Sequence, residues 1–143
     1  MAALTTSLTI TNSTEELDQV RAMVRDGILK GGFPPRLLNR VTIAVDEAVT
    51  NIVEHAFPDV AKGKGTIQIE QSVTPEEYRV TMVDDGMLHY DPRKHSTVDI
   101  QEHVDAGHDS GLGIFLIRRI MDTVEYAYEK GSRNRLTLVK RAE

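Results

Sequence analysis

The chain alternates between two hydrophobic rhythms. Thr5–Thr11 places Leu8 and Ile10 on one side of a period-two pattern, which predicts a strand. Leu17, Val20, Val24 and Ile28 then fall at helical spacing. They follow Asn12-Ser13-Thr14-Glu15-Glu16, where Ser13 and Glu16 have the spacing of a capping box. Gly31-Gly32 stops this helix. Pro34-Pro35 opens the next, the longest helical pattern, over Arg36–Phe57 with Pro58 closing it. After a Lys/Gly loop, Thr66–Val73 turns Ile67 and Ile69 inward, and Thr74-Pro75-Glu76-Glu77 makes a turn. Tyr78–Val83 returns with Tyr78, Val80 and Met82 on one face. Further on, Gly111–Asp122 carries Leu112, Phe115, Leu116 and Ile120 at helical spacing. Val124, Tyr126 and Tyr128 alternate with polar residues, Gly131-Ser132 turns the chain, and Asn134–Lys140 returns with Leu136 and Leu138.

The order β-α-α-β-β-loop-α-β-β predicts an α+β two-layer sandwich, a mixed, mainly antiparallel sheet with helices on one face. With 143 residues and no internal repeat, one domain over 1–143 is expected. Hydrophobic residues at 40% and charged residues at 27% are ordinary soluble usage. Lys+Arg at 17 against Asp+Glu at 22 gives a net charge of -5, which argues against nonspecific nucleic-acid binding. The absence of Cys removes disulfides, thiol nucleophiles and Cys-based zinc sites. MAALTTSLTI lacks the pattern of a signal peptide, and the apolar runs fall short of the ~18 residues of a membrane span. The expectation is a soluble cytoplasmic domain that contacts neither nucleic acid nor membrane. Charge is uneven: Asp84–Asp109 holds seven acids and two bases, Arg118–Glu143 seven bases and four acids. The acidic stretch, rich in His, Gly and Ser, reads as a long functional loop.

Three places could carry chemistry. On the second helix Glu47, Asn51 and His55 lie at i, i+4 and i+8, a polar stripe that drifts about 40° per step into the apolar face. Buried polar groups without partners cost roughly 1–3 kcal/mol, so the stripe faces a cleft or ligand, or is satisfied by its neighbours. Val80–Val83 runs into Asp84-Asp85-Gly86, which is a turn signal or a carboxylate presented at a strand end. Ser110-Gly111-Leu112-Gly113 opens an apolar helix; two glycines in a first turn suit either a loop junction or backbone N–H groups brought close to an anion. Two other patterns fail. Lys62-Gly63-Lys64-Gly65-Thr66 lacks phosphate-loop spacing and precedes a strand, so it is a loop. His89, His95, His103 and His108 are too irregularly spaced for a metal site and read as a solvated loop.

Taken in order, AVDEAVTNIVEHAF (Ala44–Phe57), VDDG with YDP (Val83–Pro92) and SGLGIFLIRRIMD (Ser110–Asp122) resemble the motifs of the GHKL superfamily. These are the Bergerat-fold ATP binders with a histidine-kinase-like ATPase fold, and the likeness is strongest to the anti-sigma-factor serine/threonine kinases. It covers nearly the whole chain. The resemblance implies that Glu47 is a general base for the attacking hydroxyl and that Asn51 holds Mg²⁺ bridging the ATP phosphates. It implies that Asp84 accepts the adenine amino group while Gly86 lets the base lie against the chain. It further implies that Gly111, Leu112 and Gly113 bring backbone N–H groups to the phosphates, with a lid over about 92–110. Arg93 and Lys94 begin that lid, as phosphate contacts or as solvated surface. The pattern departs at Met87-Leu88-His89, one residue longer than expected, with Leu88 in place of a second glycine.

The implied function is an ATP-dependent serine/threonine kinase that is also an anti-sigma factor. It would phosphorylate a STAS-type antagonist, sequester a sigma factor and form a homodimer. The alternative is a non-catalytic ATP-binding or protein-binding regulatory module of the same fold. The first helix, with Arg21 and Arg25 exposed, is either a protein-contact face or a solvated face with ion pairs.

Overall fold

The computed structural model describes residues 3–57, 60–85, 110–129 and 133–143. Its alternating segments are strands: β1 (Leu4–Thr11), β2 (Thr66–Val73), β3 (Glu77–Asp84), β4 (Thr123–Glu129) and β5 (Arg133–Arg141). They form one sheet in the order β1-β2-β3-β5-β4, so β3 is central. All four pairings are antiparallel, so the mainly antiparallel sheet that was expected is antiparallel throughout its described pairings. The β2–β3 turn is closed by Thr74, whose hydroxyl accepts from the amides of Glu76 and Glu77.

Helices α1 (Leu17–Gly31), α2 (Leu38–His55) and α3 (Ser110–Ile120) make the second layer. The inward phase of the strands (Ile10, Ile67, Ile69, Val80, Met82 and Leu138) is buried against the helical faces. Leu17, Val20, Val24 and Ile28 face this core from α1, and Val41, Ala44, Val45, Ala48 and Ile52 from α2. The opposite sheet face carries exposed Ser7, Thr9, Gln68, Glu70 and Arg135. This is the expected two-layer arrangement.

Three local features differ from the sequence expectation. Ser13 Oγ accepts from the Glu15 amide at 3.2 Å, but Glu16 reaches back to the Thr11 amide at 2.8 Å and to the Thr11 hydroxyl. The expected box therefore ties the helix to the end of β1 instead of closing on Ser13. Second, α2 proper begins at Leu38 after a 3-10 turn over Pro35–Leu37. Third, among the described side chains of α3 the buried one is Ile117, joined by Met121 just past the helix end, with Phe115, Leu116 and Ile120 at the margins. That helix is apolar on several sides, so periodicity did not select the face.

The Lys/Gly loop is organised from afar by a buried residue of the β1–α1 connection. Asn12 Oδ1 accepts from the amides of Gly63 and Gly65 at 2.8 and 2.9 Å, and its Nδ2 donates to the Ala61 carbonyl at 3.2 Å. This fixes the path from the end of α2 into β2. Between the helices, Arg21 pairs bidentately with Asp46 at 3.0–3.1 Å and with Asp18 at 2.9 Å.

Candidate functional site

Helix α2 places Glu47 and Asn51 one turn apart, about 6 Å along its axis. Asn51 falls inside the apolar arc and is 4% exposed, and its Nδ2 has no hydrogen-bond partner among the described residues. Glu47 lies at the edge of the arc, half-buried. Burial pushes its carboxyl above the usual glutamate range, and the negative charges of Asp46 and Glu54 push in the same direction. His55, the last member of the stripe, lies beside Glu54, with 3.8 Å between Nε2 and the carboxylate.

Asp84 ends the central strand and is 3% exposed. In the β3–β5 register it stands opposite Asn134, whose Nδ2 donates to Asp84 Oδ1 at 3.0 Å. The Tyr126 hydroxyl of β4 in turn donates to Asn134 Oδ1. Asn51 and Asp84 line one recess together, with Ile52 of α2, Ile117 of α3 and Leu136 of β5 as apolar walls. Glu47 is not part of this lining; it lies one turn from Asn51 and beside Ala48, which is. Gly111, Leu112 and Gly113 form the first turn of α3, and Gly113 precedes Ile117 by one turn. Gly86, the Met87–His89 departure, residues 92–109 of the expected lid and the four irregularly spaced histidines lie outside the described residues, while Ser110, the expected end of the lid, already begins α3. Among the described residues no cluster of three or more His, Cys, Asp or Glu could hold a metal. No helix there is long and apolar enough to cross a membrane.

A mostly apolar recess with a buried carboxylate in its lining offers the chemistry that a flat heterocycle bearing a donor group would use. The amide of Asn51, buried with its nitrogen unmet, suits a polar ligand arriving from outside the fold. These residues fit a nucleotide, and one amide oxygen fits Mg²⁺, which prefers oxygen ligands and keeps several waters.

Residues 10–140 match the family described as the histidine kinase-like ATPase domain. The chain belongs to the histidine kinase-like ATPase domain family. Relatives of this ATPase domain include a protein from Listeria monocytogenes named serine-protein kinase RsbW, 34% identical over 107 residues. That match covers 71% of this chain and 66% of the Listeria protein, so just under two thirds of the relative's length is represented. A serine-protein kinase RsbW from Staphylococcus aureus is 30% identical over 122 residues, covering 83% of this chain and 76% of that protein. Among solved structures, the RsbU and RsbW domains of a Mycobacterium tuberculosis protein superpose with a TM-score of 0.63 at 15% identity, covering 96% of this chain and 32% of that one. The histidine kinase domain of a blue-light activated kinase from Erythrobacter litoralis gives 0.55 at 20% identity, covering 89% and 59%. At these identities the superpositions bear on the fold alone, and they agree with the ATPase-domain architecture.

Sequence reasoning missed two residues of the ATPase domain's recess, Asn134 and Tyr126. The available signal was phase: Asn134 shares the period-two face of Leu136 and Leu138, so a polar group points inward where an apolar one is usual.

Proposed function

We propose that this chain is an ATP-dependent serine/threonine protein kinase that also acts as an anti-sigma factor. It phosphorylates a Ser or Thr on a STAS-type antagonist and sequesters a sigma factor, working in the cytoplasm as a homodimer. The observation that carries the reading is the recess itself. There a buried carboxylate, Asp84, and a buried amide, Asn51, whose nitrogen has no partner among the described residues, line one apolar recess. The name serine-protein kinase RsbW, carried by the Listeria and Staphylococcus relatives, supports the protein-kinase assignment.

In this reading Asp84 accepts the exocyclic amino group of adenine, with Gly86 admitting the base, while Ile52, Ile117 and Leu136 keep water from its faces. The amide oxygen of Asn51 would hold Mg²⁺, which would supply positive charge to offset that of the ATP phosphates. The N–H groups of Gly111, Leu112 and Gly113 belong to a helix's first turn, where no intrahelical acceptor is available, and they serve the phosphates. Glu47 orients the attacking hydroxyl and takes its proton, and its raised carboxyl pKa makes it a stronger base than an ordinary glutamate. Residues 92–110 serve as the lid.

Glu47→Ala tests this. ATP affinity measured by calorimetry should stay near wild type, while phosphate transfer to a STAS-domain acceptor should fall by about 10²–10⁴-fold. Unchanged transfer would remove Glu47 from the chemistry. A wild-type protein that binds ATP and transfers nothing would instead identify a regulatory module.

A further inference from the structure

Asp84 is held by a relay that runs in one direction. The Tyr126 hydroxyl donates to Asn134 Oδ1, and Asn134 Nδ2 donates to Asp84 Oδ1 at 3.0 Å. An Asn side chain offers a carbonyl on one side and an amino group on the other, in nearly the same shape. Turned over, Asn134 would set its carbonyl oxygen against the Asp84 carboxylate, and two acceptors would face each other. A hydroxyl donating to the carbonyl end favours the orientation that is seen, and donors in series polarise one another in a low-dielectric site. All three residues line the recess that also holds Asn51. The relay draws on β3, β4 and β5, so its geometry is set by the sheet register and not by a loop.

We propose that Tyr126 and Asn134 are positioning residues that set the base preference of this site. By fixing the Asp84 carboxylate as an acceptor-only edge, they favour a purine with an amino donor and refuse one with a carbonyl at the same position. The inference rests on the reading of the recess as an adenine nucleotide site and goes beyond it by assigning the selection to two residues that need not touch the nucleotide.

The test is a cycle between protein and ligand. Dissociation constants are measured by calorimetry for ATP, for GTP and for the ATP analogue whose purine lacks the 6-amino group. The proteins are wild type, Tyr126→Phe, Asn134→Thr and the double variant. Wild type should prefer ATP to both other nucleotides. Tyr126→Phe should weaken ATP about ten-fold and leave the analogue unchanged, because the relay acts through the amino-group contact that the analogue lacks. A merely structural role would weaken both ligands equally, and that outcome overturns the proposal. Asn134→Thr keeps a donor for Asp84 while disconnecting Tyr126, so adding Tyr126→Phe to it should change nothing further; full additivity overturns the relay. Wild type that binds ATP and the analogue equally defeats the adenine-amino contact, whereas wild type that binds no nucleotide defeats the proposed function itself.

Discussion

Asn51 carries a cost in the ligand-free fold. A buried donor without a partner costs about 1–3 kcal/mol, and among the described residues its Nδ2 meets none. Asn51→Leu, close in shape, should therefore raise stability in urea unfolding by about 1 kcal/mol and abolish binding of ATP with Mg²⁺. A loss of stability would mean that the amide is satisfied in the free protein. Glu47 makes a second prediction at this scale. Its folded-state pKa is raised by burial and by Asp46 and Glu54, so the folded state binds a proton more tightly than the unfolded chain does. Stability from that proton is lost as pH rises from the ordinary glutamate range through the raised value. Glu47→Gln should accordingly melt higher than wild type at pH 7, with the difference closing as pH falls below about 4. Melting curves at the two pH values check this; a constant difference would assign the effect to packing. Helix spacing and a strand-end Asp made Glu47, Asn51 and Asp84 candidates in the sequence, and the fold brings Asn51 and Asp84 into one recess. Asn134 was not a candidate, because its meaning depends on a partner 50 positions away.

At the scale of the element, α1 shows propensity yielding to packing. Gly27 sits inside this helix, where Ala would gain about 1 kcal/mol by propensity. A Cβ at Gly27 would lie 2.2 Å from Gln71 Nε2. Gln71 is 1% exposed. It donates to the Met23 carbonyl at 2.7 Å and to Thr6 Oγ1 at 2.8 Å, and it accepts from the Tyr78 hydroxyl at 2.7 Å. Burial also pushes the Tyr78 phenol up, which keeps it a neutral donor. Gln71 has no free direction in which to move. Gly27→Ala should therefore lower stability by about 2 kcal/mol in urea titration, against its helix propensity. A gain would show that Gln71 can swing aside. The glycine looked unremarkable in sequence, since the polar residue it admits lies on β2. Element types were legible because both periodicities are strong. The inner face of α3 was not, because a helix apolar on several sides does not declare which of them is buried.

For the whole molecule, the expected response to nucleotide is a thermal one. A ligand at 100 times its Kd stabilises the folded state by about 2.7 kcal/mol. For a chain of this size that raises the melting temperature by on the order of 5–10 °C. ATP with Mg²⁺ should produce this shift and GTP should not; equal shifts would remove Asp84 as the base reader. The layer arrangement followed from the order of the elements, whereas the placing of β5 beside β3 did not. Nothing local in a strand names a neighbour across the gap between Asp84 and Asn134.

That neighbour makes the recess a seam between two hairpins. The β2–β3 and β4–β5 hairpins close between adjacent segments, but the β3–β5 ladder joins one hairpin to the other across a long stretch of chain. Asp84 belongs to the first hairpin, while Tyr126 and Asn134 belong to the second, so the recess does not exist until the hairpins dock. A ligand seated there bridges the seam. Such a ligand would hold the two hairpins together, and it would slow unfolding more than it speeds folding, since separated hairpins offer it nothing to bind.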